Sequence, residues 1–262
     1  MQKLPETFIE TAIQAVDQAR LITARYFRSE LAVDSKSDRS PVTVADQETE
    51  QALKNLILDR HPEHGFFGEE SGTENTSAPW QWILDPIDGT KSFASGKPTF
   101  GTLVALLFEN EPLLGIIDHG ILDERWIGIK NRPTTFNGQP CATSKTSAVA
   151  RSSLCVTTPD MFDESAMAAF DQLSCQCQFR VFGGDCHSYG LLASGHTEIV
   201  CEADLKAYDY LALVPVVEGA GGVISDWRGD PLNRDSGDRV LASANLSVHR
   251  EAIQYLRGSH LD

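Results

Sequence analysis

One segment constrains this chain more than any other: Trp82-Ile83-Leu84-Asp85-Pro86-Ile87-Asp88-Gly89-Thr90. Its apolar start, Trp82 to Leu84, predicts a short buried strand. Two carboxylates follow at once. Pro86 has a fixed φ and no N–H, so it drives the chain out of a ladder and leaves Asp85 at a strand end. Asp88-Gly89 is turn chemistry. The segment therefore gathers two acids and free backbone N–H groups at one strand end. Hard oxygen donors of this kind suit Mg2+, which is held by a few carboxylates together with substrate phosphate. Taken alone, a D-x-x-D after a strand is more often an acidic turn, so the rest of the chain has to decide.

The first half predicts helices followed by a strand-rich meander. Phe8, Ile9, Ala12, Ile13, Val16, Ala19, Ile22 and Tyr26 fall at helical spacing over residues 5–29. The stretch from Asp34 to Pro41 is polar and loop-like. Thr43 and Asp46 form a capping-box pattern at the start of a second helix, which continues through Ala52, Leu53, Leu56 and Ile57 and stops at His61-Pro62. Residues 72–79 read as an exposed polar loop. Strands are expected at Thr102–Phe108, Leu114–Asp118 and Arg125–Lys130, with a turn at Glu109-Asn110-Glu111-Pro112. From about Cys141 the pattern becomes α/β alternation. Strands are expected near 154–157, 179–182, 197–201, 223–225 and 240–244, with helices near 160–173, 186–194, from Tyr208, and 246–257. Turn-rich residues 131–145 separate an α+β half, 1–140, from an α/β half, 141–262.

Net charge excludes some jobs. At −15 over 262 residues the chain is ill suited to binding a nucleic-acid backbone, although a divalent metal can invert the local potential for a small phosphate ester. No apolar run approaches membrane-spanning length, and Met1-Gln2-Lys3-Leu4-Pro5-Glu6 lacks a signal-peptide pattern, so a cytoplasmic protein is expected. All six cysteines lie in the second half, and Cys175-Gln176-Cys177 lacks zinc spacing, which leaves reduced structural thiols.

Two further pieces accompany the central segment. Gly68-Glu69-Glu70-Ser71 follows Phe66-Phe67, and Lys206-Ala207-Tyr208-Asp209-Tyr210-Leu211-Ala212 opens a helical stretch ending in Gly219-Ala220-Gly221-Gly222. Together with W-I-L-D-P-I-D-G-T, in this order and spacing, they resemble the inositol-monophosphatase superfamily of metal-dependent, lithium-sensitive phosphatases over essentially the whole chain. The stretches from Asp88 to Leu103 and from Tyr208 to Gly222 look most like its histidinol-phosphate phosphatase branch. The resemblance implies a layered αβαβα sandwich and a homodimer. It implies two or three Mg2+ ions per site, held by Glu69, Asp85, Asp88, Asp209 and the Ile87 carbonyl, with Asp85 bridging two ions.

The remaining roles keep two readings each. Gly89 and Thr90 are an ordinary helix start or, by the resemblance, phosphate contacts. Asp46 is the capping partner of Thr43, and the resemblance pairs it with the Thr90 hydroxyl to orient an attacking water. Glu70 is a solvated neighbour or a base on that water. Asp185, before a helix, is an N-cap candidate. The resemblance sets the leaving group against it, where a carboxylate binds an amine or imidazole. Glu202 matches a position that touches the non-phosphate part of the substrate, and Lys36 is either an ordinary exposed lysine or, by the resemblance, part of a loop that can reach the active site. His187 and His196 have no partner at metal spacing.

The expected activity is therefore Mg2+-dependent hydrolysis of a small phosphate ester, L-histidinol phosphate first and an inositol, sugar or nucleotide phosphate second. Only Arg180 and Lys206 lie near 185–205, which weakens doubly phosphorylated and nucleotide substrates. An aspartyl-phosphate mechanism needs D-x-D spacing, which the chain lacks. A non-catalytic binder would have lost one of the acids, and none is missing.

Overall fold

The structure is a computed structural model that describes residues 4–29, 33–35 and 41–257; Lys36 lies outside them. Helix α1 (Glu6–Tyr26) buries Ile9, Ala12, Ala15, Val16, Ala19 and Ile22 along one face. It ends where Arg28 takes a left-handed φ of 59°. Strands β1 (Val33–Ser35) and β2 (Pro41–Thr43) form a small antiparallel ribbon. Helix α2 (Val44–Arg60) begins with the expected capping box: Thr43 Oγ1 accepts from Ala45 N, and the Asp46 carboxylate accepts from Thr43 N at 2.8 Å.

The next strands are β3 (Gly65–Gly68), β4 (Gly72–Glu74) and β5 (Trp80–Asp88), followed by the short helix α3 (Thr90–Ala94). The meander continues as β6 (Gly101–Phe108), β7 (Glu111–His119), β8 (Glu124–Ile129), β9 (Thr135–Phe136) and β10 (Gln139–Pro140). They build an eight-stranded sheet in the order β10-β9-β8-β7-β6-β5-β3-β4, parallel only at β3–β5. The second half supplies β11 (Ser153–Val156), α4 (Glu164–Ser174), β12 (Phe179–Phe182), α5 (His187–Ala193) and β13 (Ile199–Glu202). It ends with α6 (Ala207–Tyr210), α7 (Leu213–Gly219), β14 (Val223–Asp226), β15 (Val240–Ser243) and α8 (Leu246–Arg257). Its five-stranded sheet runs β12-β11-β13-β15-β14, parallel on the β12–β13 side and antiparallel at β15.

Four expectations need correction. The stretch from Asp34 to Pro41 is not all loop, because Asp34 and Ser35 lie in β1 and Pro41 in β2, where they pair. The strand at Trp82 does not end at Asp85: β5 runs to Asp88, and Pro86 produces a register shift between Asp85 and Asp88 instead of a stop. Residues 72–79 are not all loop, because Gly72–Glu74 pairs with β3 through backbone groups that side-chain polarity does not reveal. The helix expected from Tyr208 is split into α6 and α7. Pro215 has no N–H for the Leu211 carbonyl, so the regular bonding is interrupted there.

Side chains alternate across a strand, and that alternation creates the layers. Trp82, Leu84, Val104, Leu106, Leu114 and Ile116 pack against α1 and α2. Ile83, Leu103, Ala105, Leu107 and Ile117 point the other way, onto α5, α6 and α7 and onto Cys155, Val200, Val240 and Ala242 of the second sheet. The opposite face of that sheet, with Leu154, Val156, Ile199 and Leu241, is covered by α4 and α8. The result is the αβαβα sandwich, with the middle helices sharing one core between both sheets.

The middle layer is packed very closely. Gly115 and Gly128 are paired across β7 and β8. A Cβ on Gly115 would lie 1.9 Å from the Ala212 carbonyl oxygen, and one on Gly128 would lie 2.3 Å from the Pro215 backbone. Backbone cannot yield as a side-chain tip can. Gly128→Ala is therefore expected to lower the unfolding free energy by about 1–3 kcal/mol or more, from overpacking alone. Urea unfolding measures it, and an unchanged midpoint would refute the tight seat of α7.

Candidate active site

The β5 irregularity builds the site. The ladder with β6 is regular up to Asp85↔Leu103 and resumes at Asp88↔Gly101. Within the bulge Ile87 N donates to Asp85 Oδ1 at 3.0 Å, and the Thr102 hydroxyl takes up the Pro86 carbonyl at 2.8 Å. Asp209 arrives from the other half in the first turn of α6, where its Oδ2 accepts from Lys206 N at 2.6 Å. Carboxylate oxygens of Asp85, Asp88 and Asp209 all lie within 4.8 Å of one another. Glu69 joins them through its backbone, since Glu69 N donates to Leu84 O at 3.2 Å and so sets the turn after β3 beside β5.

These acids repel one another in a poorly solvated place. Asp85 is only 2% exposed. Burial first, then the charges of Glu69, Asp88 and Asp209, hold its carboxyl well above the usual aspartate range. Asp88 is raised by burial and by Asp185 and Asp209, although Cys186 N donates to its Oδ2 at 2.7 Å. Burial pushes Asp209 up to about 7. The donors that crowd here are oxygens of hard carboxylates, so the group that relieves the repulsion is a hard divalent cation. Glu69, Asp85, Asp88, Asp209 and the Ile87 carbonyl fit Mg2+ in type.

Around the acids, the structure brings together most of the residues singled out from sequence. Thr90 opens α3, with its hydroxyl 3.4 Å from Asp46 Oδ1 and 3.2 Å from the Ile87 carbonyl. Asp46 Oδ2 is taken by the Thr43 N–H and hydroxyl, so capping and the approach to Thr90 coexist on one carboxylate. Burial raises the Asp46 carboxyl. Gly89 caps α3 at a left-handed φ of 82°, and a Cβ there would lie 2.7 Å from the Asp185 carboxylate, so both strain and space require glycine. Glu70 lies in the Glu69 turn, its backbone N–H held by Glu50 at 2.8 Å.

Asp185 does not cap the helix after it. Residue Cys186 is the N-cap of α5, and it makes no side-chain capping bond. Asp185 instead turns back toward α3, where its Oδ2 accepts the Ser92 hydroxyl at 2.5 Å and the Thr99 hydroxyl at 3.3 Å. Glu202 is buried with each oxygen held, one by Thr157 N and the other by the Tyr189 hydroxyl, both at 2.9 Å. His187 pairs with Glu124 at 2.7 Å.

Glu69, Asp88, Gly89, Thr90, Asp185, Glu202 and Asp209 line one cavity of about 250 Å³, while Asp46, Glu70, Asp85, Ile87 and His187 lie outside its lining. Sequence reading missed Asp160, Asp204 and Lys91 on its wall, because loop charges there look no different from any solvated acid or lysine. Glu50 was missed for another reason: it lies within an amphipathic helix whose polar positions give no sign of burial. A second group, His61, Glu63 and His64, also clusters within 4.8 Å. Trp82 Nε1 donates to His64 Nδ1 and Thr11 meets His61 Nε2, so these rings serve the packing beneath α1.

A buried carboxylate cluster that joins a bulged strand of one half to helix α6 of the other suits hard divalent cations, and with the family to which the chain belongs it makes the protein a metal-dependent phosphomonoesterase. The chain belongs to the inositol monophosphatase family, whose profile matches residues 4–261 and whose members depend on Mg2+. It is 42% identical over 249 residues to "Bifunctional phosphatase IMPL2, chloroplastic" of Arabidopsis thaliana, covering 92% of this chain and 72% of the relative. It is 32% identical over 256 residues to a histidinol-phosphatase of Chlorobaculum parvum, covering 97% and 98%. An inositol monophosphatase structure from Zymomonas mobilis superposes with a TM-score of 0.90 at 41% identity, over 98% of this chain and 100% of that one. One from Anabaena gives 0.84 at 27% identity, over 96% of each chain. The fold is thus the family's α/β arrangement with two mixed sheets. No helix among the described residues is long and apolar enough to cross a membrane.

The raised Asp209 value makes a sign prediction. A carboxyl whose folded pKa lies above its unfolded one contributes stability at low pH and loses it as pH rises through the folded value. Buried histidines act the opposite way: His64 and His249 are lowered to about 4 by burial. The comparison must therefore be with Asp209→Asn. Without metal, that variant's stability advantage over the parent should grow from the usual aspartate value of 3.8 up to about 7 and then level off. Thermal melts in chelator across that range test this, and a pH-independent difference would contradict it.

Proposed function

We propose that the chain hydrolyses L-histidinol phosphate to L-histidinol and phosphate, a step of histidine biosynthesis, with Mg2+ as its cofactor. The observation that carries this reading is the charge of the cavity wall beyond the metal-holding acids. Asp160, Asp185, Glu202 and Asp204 line it, and among the described lining residues Lys91 is the only cation. A leaving group bearing an amine and an imidazole complements such a wall through charge-assisted hydrogen bonds. A second phosphate would meet repulsion. The histidinol-phosphatase relative supports the same reading. The Zymomonas structure supports the alternative, an inositol phosphate, whose hydroxyls also donate to carboxylates.

In this reading Glu69, Asp85, Ile87, Asp88 and Asp209 hold two or three Mg2+ ions. When bound, the metal neutralises the phosphoryl oxygens, acidifies water and stabilises the leaving alkoxide. Gly89 and Thr90, at the start of α3, bind the phosphate. Thr90 donates its hydroxyl proton to Asp46 and presents lone pairs to the attacking water, which orients it; Glu70 is a further acceptor for the water's proton. Asp185 and Glu202 select the leaving group. We assign residues 1–140 most of the metal site and residues 141–262 Asp209 and the selecting loop. We further take the active form to be a homodimer. Edge strand β12, with Phe179, Val181 and Phe182 exposed, supports a covered edge.

Phosphate release from purified protein across histidinol, inositol, fructose-bisphosphate and nucleotide 3′-phosphates discriminates the readings. Turnover should be highest on histidinol phosphate, require Mg2+, vanish in chelator and fall with Li+. Asp85→Asn should lower turnover by several orders of magnitude with the fold intact; near-normal turnover would dismiss its role. Asp185→Asn keeps an acceptor for Ser92 but loses the charge. It should weaken kcat/KM for histidinol phosphate by roughly 10–150-fold, the equivalent of about 1.5–3 kcal/mol, and an uncharged ester much less. Equal losses on both would remove Asp185 from substrate selection.

A further inference from the structure

Helix α2 contributes more to the site than Asp46. Glu50, one turn further along the same face, is 1% exposed. Its two oxygens accept from successive backbone N–H groups of the turn after β3: Oε2 from Glu70 N at 2.8 Å and Oε1 from Ser71 N at 2.7 Å. One turn beyond, Lys54 forms an ion pair with Glu74 of β4 at 2.8 Å. The Glu69-Glu70-Ser71 turn is therefore gripped from two sides, by Leu84 O of β5 through Glu69 N and by Glu50 through the next two N–H groups.

The grip is specific to a carboxylate in this place. Two consecutive N–H donors need two acceptors. A glutamine offers one acceptor and turns an NH2 toward the other donor. Gly68 leaves room for this carboxylate and nothing more, since a Cβ there would lie 2.4–2.6 Å from all three atoms of the Glu50 carboxyl group. Burying a charge is costly unless its hydrogen bonds are made, and here both oxygens are used on one turn.

We infer that Glu50 is a positioning residue for the metal site: it sets the backbone that carries Glu69 and Glu70, and so fixes how Glu69 meets Asp85. Asp46 and Glu50 then act as two struts of one helix, the first reaching α3 through Thr90 and the second reaching the Glu69 turn. The inference rests on the Mg2+ reading of the site. Its outcome is read by metal binding as well as by activity.

The test uses full-length parent, Glu50→Gln and Gly68→Ala, stripped of metal and titrated with Mg2+ by calorimetry, with thermal melts in chelator alongside. Glu50→Gln is expected to weaken Mg2+ binding by about 10–100-fold, as loss of a group that orients a ligand does. The lost turnover should return as Mg2+ is raised. Gly68→Ala displaces the Glu50 carboxylate without removing its charge and should weaken Mg2+ binding in the same direction; it carries the test alone if Glu50→Gln does not fold. Parent-like Mg2+ affinity in the variants, with only the melting temperature lowered, would overturn the inference and leave Glu50 a purely structural acid. A parent that takes up no Mg2+ would instead overturn the reading of the site on which the inference stands.

Discussion

Mutual repulsion among buried carboxylates is the constraint around which this molecule is arranged. Asp85, Asp88 and Asp209 come within 4.8 Å of one another with Glu69 beside them, in a place where water cannot screen them well. No chain gathers such a group for stability. It must be held together by other forces, and the surrounding structure supplies them. Asp88 is tied to the backbone of Cys186, Asp209 to that of Lys206, and Asp85 to that of Ile87. Each tie is a backbone N–H aimed at a carboxylate, so the acids are placed by main chain and not by flexible partners.

The shared middle layer makes the arrangement possible. Asp85 and Asp88 belong to the first sheet and Asp209 to α6 of the second half, which packs on β5 and β6 directly while α7 is seated closely on β7 and β8. Gly115 and Gly128 permit that seating, because their missing side chains let backbone touch backbone. The same layer exposes the cavity along one line between the halves. The cavity is lined by Glu69, Asp88, Gly89 and Thr90 of the first half and by Asp160, Asp185, Glu202, Asp204 and Asp209 of the second.

Asp185 illustrates how such a site economises on residues. Its carboxylate ties α3 through Ser92, faces Gly89 closely enough to exclude any side chain there, and still lines the cavity. Asp46 does the same in the first half, capping α2 while reaching Thr90. Each acid combines a local structural duty with a place in the site, which is why neither duty alone describes it.

Much was legible in the sequence, for physical reasons that are local. Helical spacing located α1 and α2, and apolar runs located the strands, because burial of one face imposes a period on the chain. Thr43 and Asp46 announced the start of α2, since a capping box is closed within a few residues. W-I-L-D-P-I-D-G-T put two acids beside one strand end, and its company with Gly68-Glu69-Glu70-Ser71 and the Asp209 segment set it apart from an ordinary acidic turn. What sequence could not supply was anything that depends on distant backbone. Pro86 makes a bulge and not a stop because β6 lies alongside to resume the ladder at Gly101. Asp185 is no helix cap because Ser92 and Thr99, brought from across the fold, donate to its Oδ2 and turn the carboxylate toward α3. Glu50 becomes a buried strut only once the turn after β3 folds against α2. The chain's own order determined which groups exist and which local elements carry them; the packing of the two sheets decided which of those groups meet, since a carboxylate's role is set by the partners that tertiary contact brings within a few ångströms.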